Sequence, residues 1–333
     1  MAGHYLDFEK PIEELEKRIE ELENFSRKAD VDLTEEIGKL RERSIEKKRE
    51  IFSQLTPWQR VQLAREPNRP ESTDFLGMIG ENFFELHGDR TYGDDPSTVT
   101  GFCTIGGIKL LAVAQRKGKS IQDRVASNFG CPHPEGYRKA MEKMKLAEKF
   151  GLPILTLVNT PGAFPGIGAE ERGQAQTIAR NLFEMSRLRT PILSIVVGEG
   201  GSGGALGISV ADRILTMENS YLSVISPEGC ATILWRDAAK APLAAELLRL
   251  TPKELQKLEI IDGIIEEPLG GAHRNHPEAA ANLKEAVVRN LQELILLSGD
   301  ELLEKRYKKY RAIGEFIEMQ EEKIEKSRDS SPS

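Results

Sequence analysis

The segment PILSIVVGEGGSGGALG, residues 191–207, is a near-continuous apolar run that breaks into glycines. Val, Ile and Leu without polar alternation suit a strand buried on both faces, the condition of a parallel strand covered by helices. A second copy of the arrangement lies upstream. There PILTLVN (153–159) runs into the loop TPGAFPGIGAEERG and then into the helical QAQTIARNLFEMSRL. Each apolar run thus predicts a strand, a glycine-rich loop at its carboxyl end and a helix. In α/β folds that edge binds ligands, because loop amides and helix N-termini converge there. Two such loops on neighbouring strands predict one shared site.

Working outward, VTGFCTI and IKLLAVAQ flank Gly106-Gly107 and read as a β-hairpin. A helix is expected from Pro134, with Met141, Met144, Leu146 and Phe150 inward and Gly151 as its stop. Downstream of the glycines, ALGISVADR reads as a helix, ILTME and SYLSVIS as a short strand pair, and the chain from Pro227 as helical again. Both ends differ in character. Residues 1–50 carry 15 acidic and 11 basic side chains, with Ile12, Leu15, Ile19 and Leu22, then Leu33, Ile37 and Leu40, at helical spacing. This predicts a charged helical hairpin (1–55) turning at Asp30–Thr34, serving as a partner-binding arm or as a simple appendage. The core is expected over 56–298. A charged C-terminal helix and a disordered, Ser/Pro-ended tail are expected over 299–333.

The 333 residues give ample length for a buried core. A net charge of −7 argues against a nucleic-acid protein. Cys103, Cys131 and Cys230, scattered and odd in number, exclude a disulfide framework and a CxxC zinc ribbon and fit a reducing compartment. No apolar run approaches the ~20 residues of a membrane helix. The opening MAGHYLDFEK has no leader character, so a soluble, cytoplasmic protein is expected.

Six of the 29 glycines fall within 198–207, and three motifs overlap there. Gly198-x-Gly200-x-x-Gly203, with Glu218 downstream, fits a dinucleotide fingerprint, although the hairpin before it does not belong to a mononucleotide-binding half. Gly200-x-Ser202-x-Gly204 fits a nucleophile elbow. Asp212, Asp237 or Asp262 and then His273 or His276 would follow in hydrolase order, although the loop GGAHRNHPEA could place its histidines anywhere. Walker A is excluded, since no Gly-Lys-Ser/Thr follows. The third reading needs no side chain: a dense glycine loop opening a helix aims backbone N–H groups at one point, an oxyanion hole. Pro161–Gly166 can supply a second set.

NTPGAFPGIGAEERGQ (159–174), GEGGSGGALG (198–207), SPEGCATILW (226–235), KAPLAAE (240–246) and EPLGGAHRN (267–275) together resemble the alpha-subunit family of bacterial-type acetyl-CoA carboxylase carboxyltransferase. FGCPHPEGYRKA (129–140) and LDFEKPIEELE (6–16) are similar to the same family, and the likeness runs from about residue 5 to about 310. The resemblance implies a crotonase-like α/β core of repeated ββα units. It implies transfer of the carboxyl group from carboxybiotin, carried on a biotin carboxyl carrier protein, to acetyl-CoA. The product is malonyl-CoA for fatty acid biosynthesis. It implies an α2β2 assembly with a beta subunit that holds the zinc and most of the acyl-CoA site, within a larger complex that includes biotin carboxylase. Backbone amides of Gly203, Gly204, Gly162 and Ala163 would hold the biotin ureido oxygen, and Ser202 would be a loop residue.

Phe164, Pro165, Gly166, Gly201, Ser202, Ser226, Pro227, Glu228 and Gly229 are candidate walls of the same pocket, with Ser226–Gly229 equally explicable as a helix start. Arg116 and Lys117 could meet CoA or a carrier-protein acid, against a solvated turn. Glu170, Glu171 and Arg172 suit a helix opening, and His273-x-x-His276 lacks a third metal ligand. Two other classes remain as alternatives: a serine hydrolase using Ser202, and a non-enzymatic scaffold built on the helical arm.

Overall fold

The computed structural model describes residues 4–314. Helices α1 (Lys10–Ala29) and α2 (Thr34–Ser53) form the expected N-terminal hairpin. Asp30 takes a left-handed conformation at its turn and Asp32 Oδ1 accepts the Thr34 N–H at 3.0 Å. The stripe is as narrow as its spacing predicted: Ile12 and Ile37 are buried, while Leu15, Ile19 and Leu22 are only half-buried. Two short helices follow, α3 (Pro57–Ala64) and α4 (Ser72–Ile79). Thr56 caps α3 by accepting the Gln59 N–H at 3.2 Å, and Pro57 sits at its first position, where a missing N–H costs nothing.

Strands β1 (Glu81–Glu85), β2 (Thr98–Ile105) and β3 (Ile108–Gln115) are antiparallel. The β2–β3 turn is Gly106-Gly107, both with positive φ, which closes Ile105 directly onto Ile108. After α5 (Ile121–Ala126) and α6 (Pro134–Lys149) the sheet becomes parallel, with β4 (Ile154–Thr160) on β3. Then come α7 (Ile167–Glu171), α8 (Gln174–Met185) and β5 (Ile192–Gly201), which pairs with β4 from Ile154↔Ile192 to Thr160↔Gly200. Every residue of β4 and β5 is buried. Side-chain alternation sends Leu155, Leu157, Leu193 and Ile195 to one face and Ile154, Val158, Ile192 and Val196 to the other. That is why both strands read as continuous apolar runs.

The remaining elements are α9 (Ser202–Ser209), β6 (Arg213–Met217), β7 (Tyr221–Ser223), α10 (Pro227–Trp235), α11 (Ala241–Leu247), α12 (Pro252–Lys257), β8 (Gly263–Ile265), α13 (His276–Leu294) and α14 (Gly299–Ala312). The first core face packs on Phe75 and Leu76 of α4 and on Leu283, Val287 and Leu291 of α13. The second packs on Tyr137 and Met144 of α6 and on Ala205 and Ile208 of α9.

Three expectations are corrected here. Helix α9 begins at Ser202 and ends at Ser209, so Arg213 already belongs to a strand. The two short strands do not pair with each other: β6 lies along Leu193–Val196 of β5 and β7 along Glu199–Gly201, both parallel to it. One ten-residue strand is long enough to carry both on the same edge. Phe150 is 63% exposed, because it caps α6 with non-helical dihedrals and leaves the inward stripe, which Tyr137, Ala140 and Ala147 complete instead. At the C-terminus α14 is pinned to the core. Its Arg306 is buried, pairs with Asp212 at 2.8 Å and donates to the carbonyls of Met185, Leu188 and Thr190. The tail expected to be disordered lies outside the described residues.

Candidate active site

The C-terminal ends of β4 and β5 place their two loops in backbone contact. Gly201 is the N-cap of α9, and a Cβ there would fall 2.9 Å from Thr160 O and nearer still to Pro161 O. At Gly204 a Cβ would lie 2.7 Å from Ala163 N and closer to Gly162 C. Only glycine allows that approach. Gly203 differs, since the first atom its Cβ would meet is Ile178 Cδ1 at 3.4 Å.

Ser202 continues the pairing of β5 with β7, whereas the first-turn N–H groups of Gly203 and Gly204 in α9 have no intrahelical acceptor, and N-cap Gly201 has no side chain to supply one. They face outward with the positive end of the helix behind them. Across the contact, the Gly162 N–H is donated to Thr160 Oγ1 at 3.0 Å, so it is spent inside its own loop. The Ala163 N–H has no acceptor among the described residues. The loop around it is clamped: the Phe164 N–H donates to Pro132 O at 3.0 Å, and the Phe164 ring stacks on His133 with centroids 4.1 Å apart. Buried Gln174 Nε2 donates to Pro132 O and Phe164 O at 2.8 and 3.0 Å. Pro165 and Gly166 lead from there into α7.

Beside the α9 amides lies an apolar cavity of about 260 Å³, lined by Ser202, Leu206, Leu222, Val224, Leu248 and Ile260 among others. Ser202 has a positive φ of 46° and is exposed, as a nucleophile elbow would require, but the structure assembles no triad around it. Buried His273 faces Glu9 at 3.5 Å and His276 bonds Asn68 O at 2.8 Å. Asp212 is taken by Arg306, Asp262 by the Ile214 N–H and Lys309, and Asp237 by the Ala239 N–H. His273 instead belongs to the strap that fastens the helical arm, where Glu9 also takes Arg274 at 3.1 Å. The dinucleotide fingerprint fails for a geometric reason. Gly198 and Gly200 lie inside β5, not in the turn that such a motif builds.

A charged cluster closes the same edge. Buried Glu199 pairs with Arg65 at 2.7 Å and with Lys117, and accepts from Tyr221 Oη at 2.6 Å. Burial pushes its carboxyl up, but Lys117 and Arg65 outweigh that and hold it at about 2. Arg65 also reaches Glu228 at 2.5 Å, which ties down the start of α10. Ser226 Oγ accepts the Gly229 N–H at 3.1 Å and Pro227 occupies the first turn, so this segment is a helix cap whose Glu228 joins the cluster. Lys117 is therefore an internal ion-pair partner. Arg116 stays at the surface, 3.8 Å from Asp123. Arg172 pairs with Glu135 at 2.7 Å and lies over the Tyr92 ring, while Glu170 sits in the first turn of α7. Sequence reasoning missed Arg65, Glu199 and Tyr221. One signal existed: Glu199 is the only ionisable residue between Arg189 and Asp212. Among the described residues, no group of three or more His, Cys, Asp or Glu is placed to hold a metal, and no helix is long and apolar enough to cross a membrane.

Residues 5–314 match the family described as acetyl co-enzyme A carboxylase carboxyltransferase-like. The acetyl-coenzyme A carboxylase carboxyl transferase subunit alpha of Thermus thermophilus is 52% identical over 94% of this chain and 99% of its own length. That of Syntrophotalea carbinolica is 53% identical over 93% and 98%. Transcarboxylase 12S, solved with methylmalonyl-coenzyme A and methylmalonic acid bound, aligns with a TM-score of 0.56 at 19% identity, over 68% of this chain and 42% of that one. A Pseudomonas malonate decarboxylase hetero-tetramer in complex with coenzyme A gives 0.53 at 15%, over 65% and 86%. These two likenesses are of fold, the crotonase-like α/β core. The chain belongs to the acetyl-coenzyme A carboxylase carboxyltransferase family, as an alpha-type subunit.

Proposed function

We propose that this chain forms the carboxybiotin side of a split carboxyltransferase site, completed by a beta subunit in an α2β2 assembly. Carboxybiotin on a biotin carboxyl carrier protein would supply both the carboxyl group for acetyl-CoA and, once that group has left, the base that takes the methyl proton. Malonyl-CoA is the product, and biotin carboxylase would recharge the carrier. The beta subunit would bring the zinc and most of the acyl-CoA contacts.

The observation that carries this reading is the backbone junction of Gly204 with Gly162 and Ala163. It brings the start of α9, with the first-turn N–H groups of Gly203 and Gly204, against the Ala163 peptide. Those donors suit a ureido oxygen that gains negative charge as the carboxyl group departs, and fixed donors in a water-poor site cost no reorganisation at that moment. Compared with the expected set, the Gly162 N–H is engaged by Thr160 and contributes position instead of a donor. The neighbouring apolar cavity fits an uncharged bicyclic ring that must be held without ionic contacts. Phe164, anchored to Pro132, His133 and Gln174, keeps the adjoining Ala163 peptide in place, and Pro165 and Gly166 would continue that wall.

The test is reconstitution. The chain alone should show no biotin-dependent malonyl-CoA decarboxylation, and addition of a carboxyltransferase beta subunit should produce it together with a larger species on gel filtration. Turnover by the isolated chain, or an assembled complex without activity, rejects the split site.

A further inference from the structure

Gln115, the last residue of β3, is fully buried and touches the junction from behind. Its Nε2 donates to Gly204 O at 2.8 Å and its Oε1 accepts the Asn159 N–H at 3.0 Å. The orientation of the amide follows from its partners, since a carbonyl can only accept and a backbone N–H can only donate. Asn159 continues the chain of bonds, its Oδ1 accepting the Glu199 N–H at 3.1 Å. The ends of β3, β4 and β5 and the first turn of α9 are therefore joined through two carboxamides.

Gly204 has no side chain with which to fix itself. It is bounded on one side by the Gly162–Ala163 backbone and held on the other by Gln115. A carboxamide is costly to bury unless both ends are bonded, and here both are, to different segments. An apolar residue of similar size would fill the space without holding either carbonyl or amide.

We propose that Gln115 is a positioning residue for the carboxyl-transfer site: its carboxamide holds the Gly204 peptide in register with the end of β4. It thereby sets the separation between the α9 first-turn N–H groups and the Ala163 N–H. The inference rests on the split-site reading above, and it deepens that reading by naming what fixes the donor spacing.

The experiment uses the full chain reconstituted with a beta subunit, free biotin and malonyl-CoA, and compares Gln115→Leu and Gln115→Glu with the parent. Gln115→Leu is expected to lower kcat by about 30- to 100-fold, the scale of a sub-ångström to 1 Å misplacement. The KM for malonyl-CoA should change by less than about twofold. The complex should still assemble, and hydrogen exchange should accelerate in the peptide spanning residues 202–209. Gln115→Glu adds a pH signature. A neutral carboxyl can donate one O–H to Gly204 O and accept from Asn159, whereas the ionised form only accepts. The kcat deficit of that variant should shrink as pH falls, while the deficit of Gln115→Leu should not.

A Gln115→Leu complex within twofold of parental kcat overturns the proposal. So does a loss of activity that tracks failed assembly or unchanged exchange, or a Gln115→Glu deficit independent of pH. A parental complex without biotin-dependent activity rejects the carboxyltransferase reading instead, and the exchange data then still decide whether Gln115 holds the turn.

Discussion

The two loops that meet at Gly204 are built by opposite means. The one after β4 is held by side chains: Thr160 takes its Gly162 N–H, Gln174 binds its Phe164 carbonyl, and the Phe164 ring leans on His133. The one after β5 has almost no side chains of its own, so its backbone lies directly against its neighbour, with Gln115 bonding the Gly204 carbonyl. A loop fixed by side chains can distribute a perturbation over several anchors. A loop fixed by backbone contact has no such reserve, because a single added carbon has nowhere to go.

The largest expected effect follows from that difference. In Gly204→Val the added carbons would enter the space of Gly162 and Ala163, and backbone must shift to admit them. A drop in kcat of at least about 100-fold is expected for the reconstituted complex, in line with loss of an oxyanion donor. The cost in folding stability should be only the ~1–3 kcal/mol typical of overpacking. Turnover and urea unfolding on the same sample separate the two. A variant that keeps a third of parental kcat would mean that the contact is incidental to catalysis.

Acid should sharpen the comparison, because the end of β5 carries a buried carboxylate whose ion pairs hold it in place. Glu199 is held at about 2 against its ordinary 4.5, so its pairing with Lys117 and Arg65 stabilises the folded chain fully above pH 4.5. That contribution is lost as pH falls from there toward 2. Glu267, buried against Arg69, behaves in the same sense. The neutral bonds of Thr160 and Gln174 have no such dependence. Glu199→Gln should therefore be less stable than the parent at pH 7, and the difference should shrink at pH 4 and pH 3. A gap in urea stability that stays constant over that range would show that Glu199 acts through packing alone.

What could be read from the chain, and what could not, divides along the same line. The apolar runs of β4 and β5, the Gly106-Gly107 turn and the narrow stripe of the arm are local patterns, and each appears where its spacing put it. Even the glycine cluster was legible, although α9 begins three residues earlier than Ala205 because Gly201 serves as its cap. Contacts over long separations were not. Gln115 meets Gly204 from 89 residues away and Arg65 meets Glu199 from 134 away, and neither leaves a periodic trace. The pairing of β7 with β5 was hidden for a related reason, since two adjacent short strands look like a hairpin until the length of a third is known. Ser202 shows the converse hazard: a complete local motif whose partners are committed elsewhere.

The smallest expected effect tests whether amides alone matter at the α9 end. Gly203 and Gly204 are chemically identical in the motif, yet only Gly204 is crowded by backbone. Gly203→Ala keeps the N–H and places a methyl group about where the flexible Ile178 side chain can accommodate it, at 3.4 Å. Alanine is also favoured over glycine within a helix by roughly 0.5–1 kcal/mol. The variant should retain kcat within about threefold of the parent and match or exceed its stability. If instead activity falls tenfold or more while the fold is intact, the methyl group must obstruct the substrate itself. The bound ring would then lie against the Gly203 Cα, and the need for two successive glycines would come from the ligand at one position and from the neighbouring loop at the other.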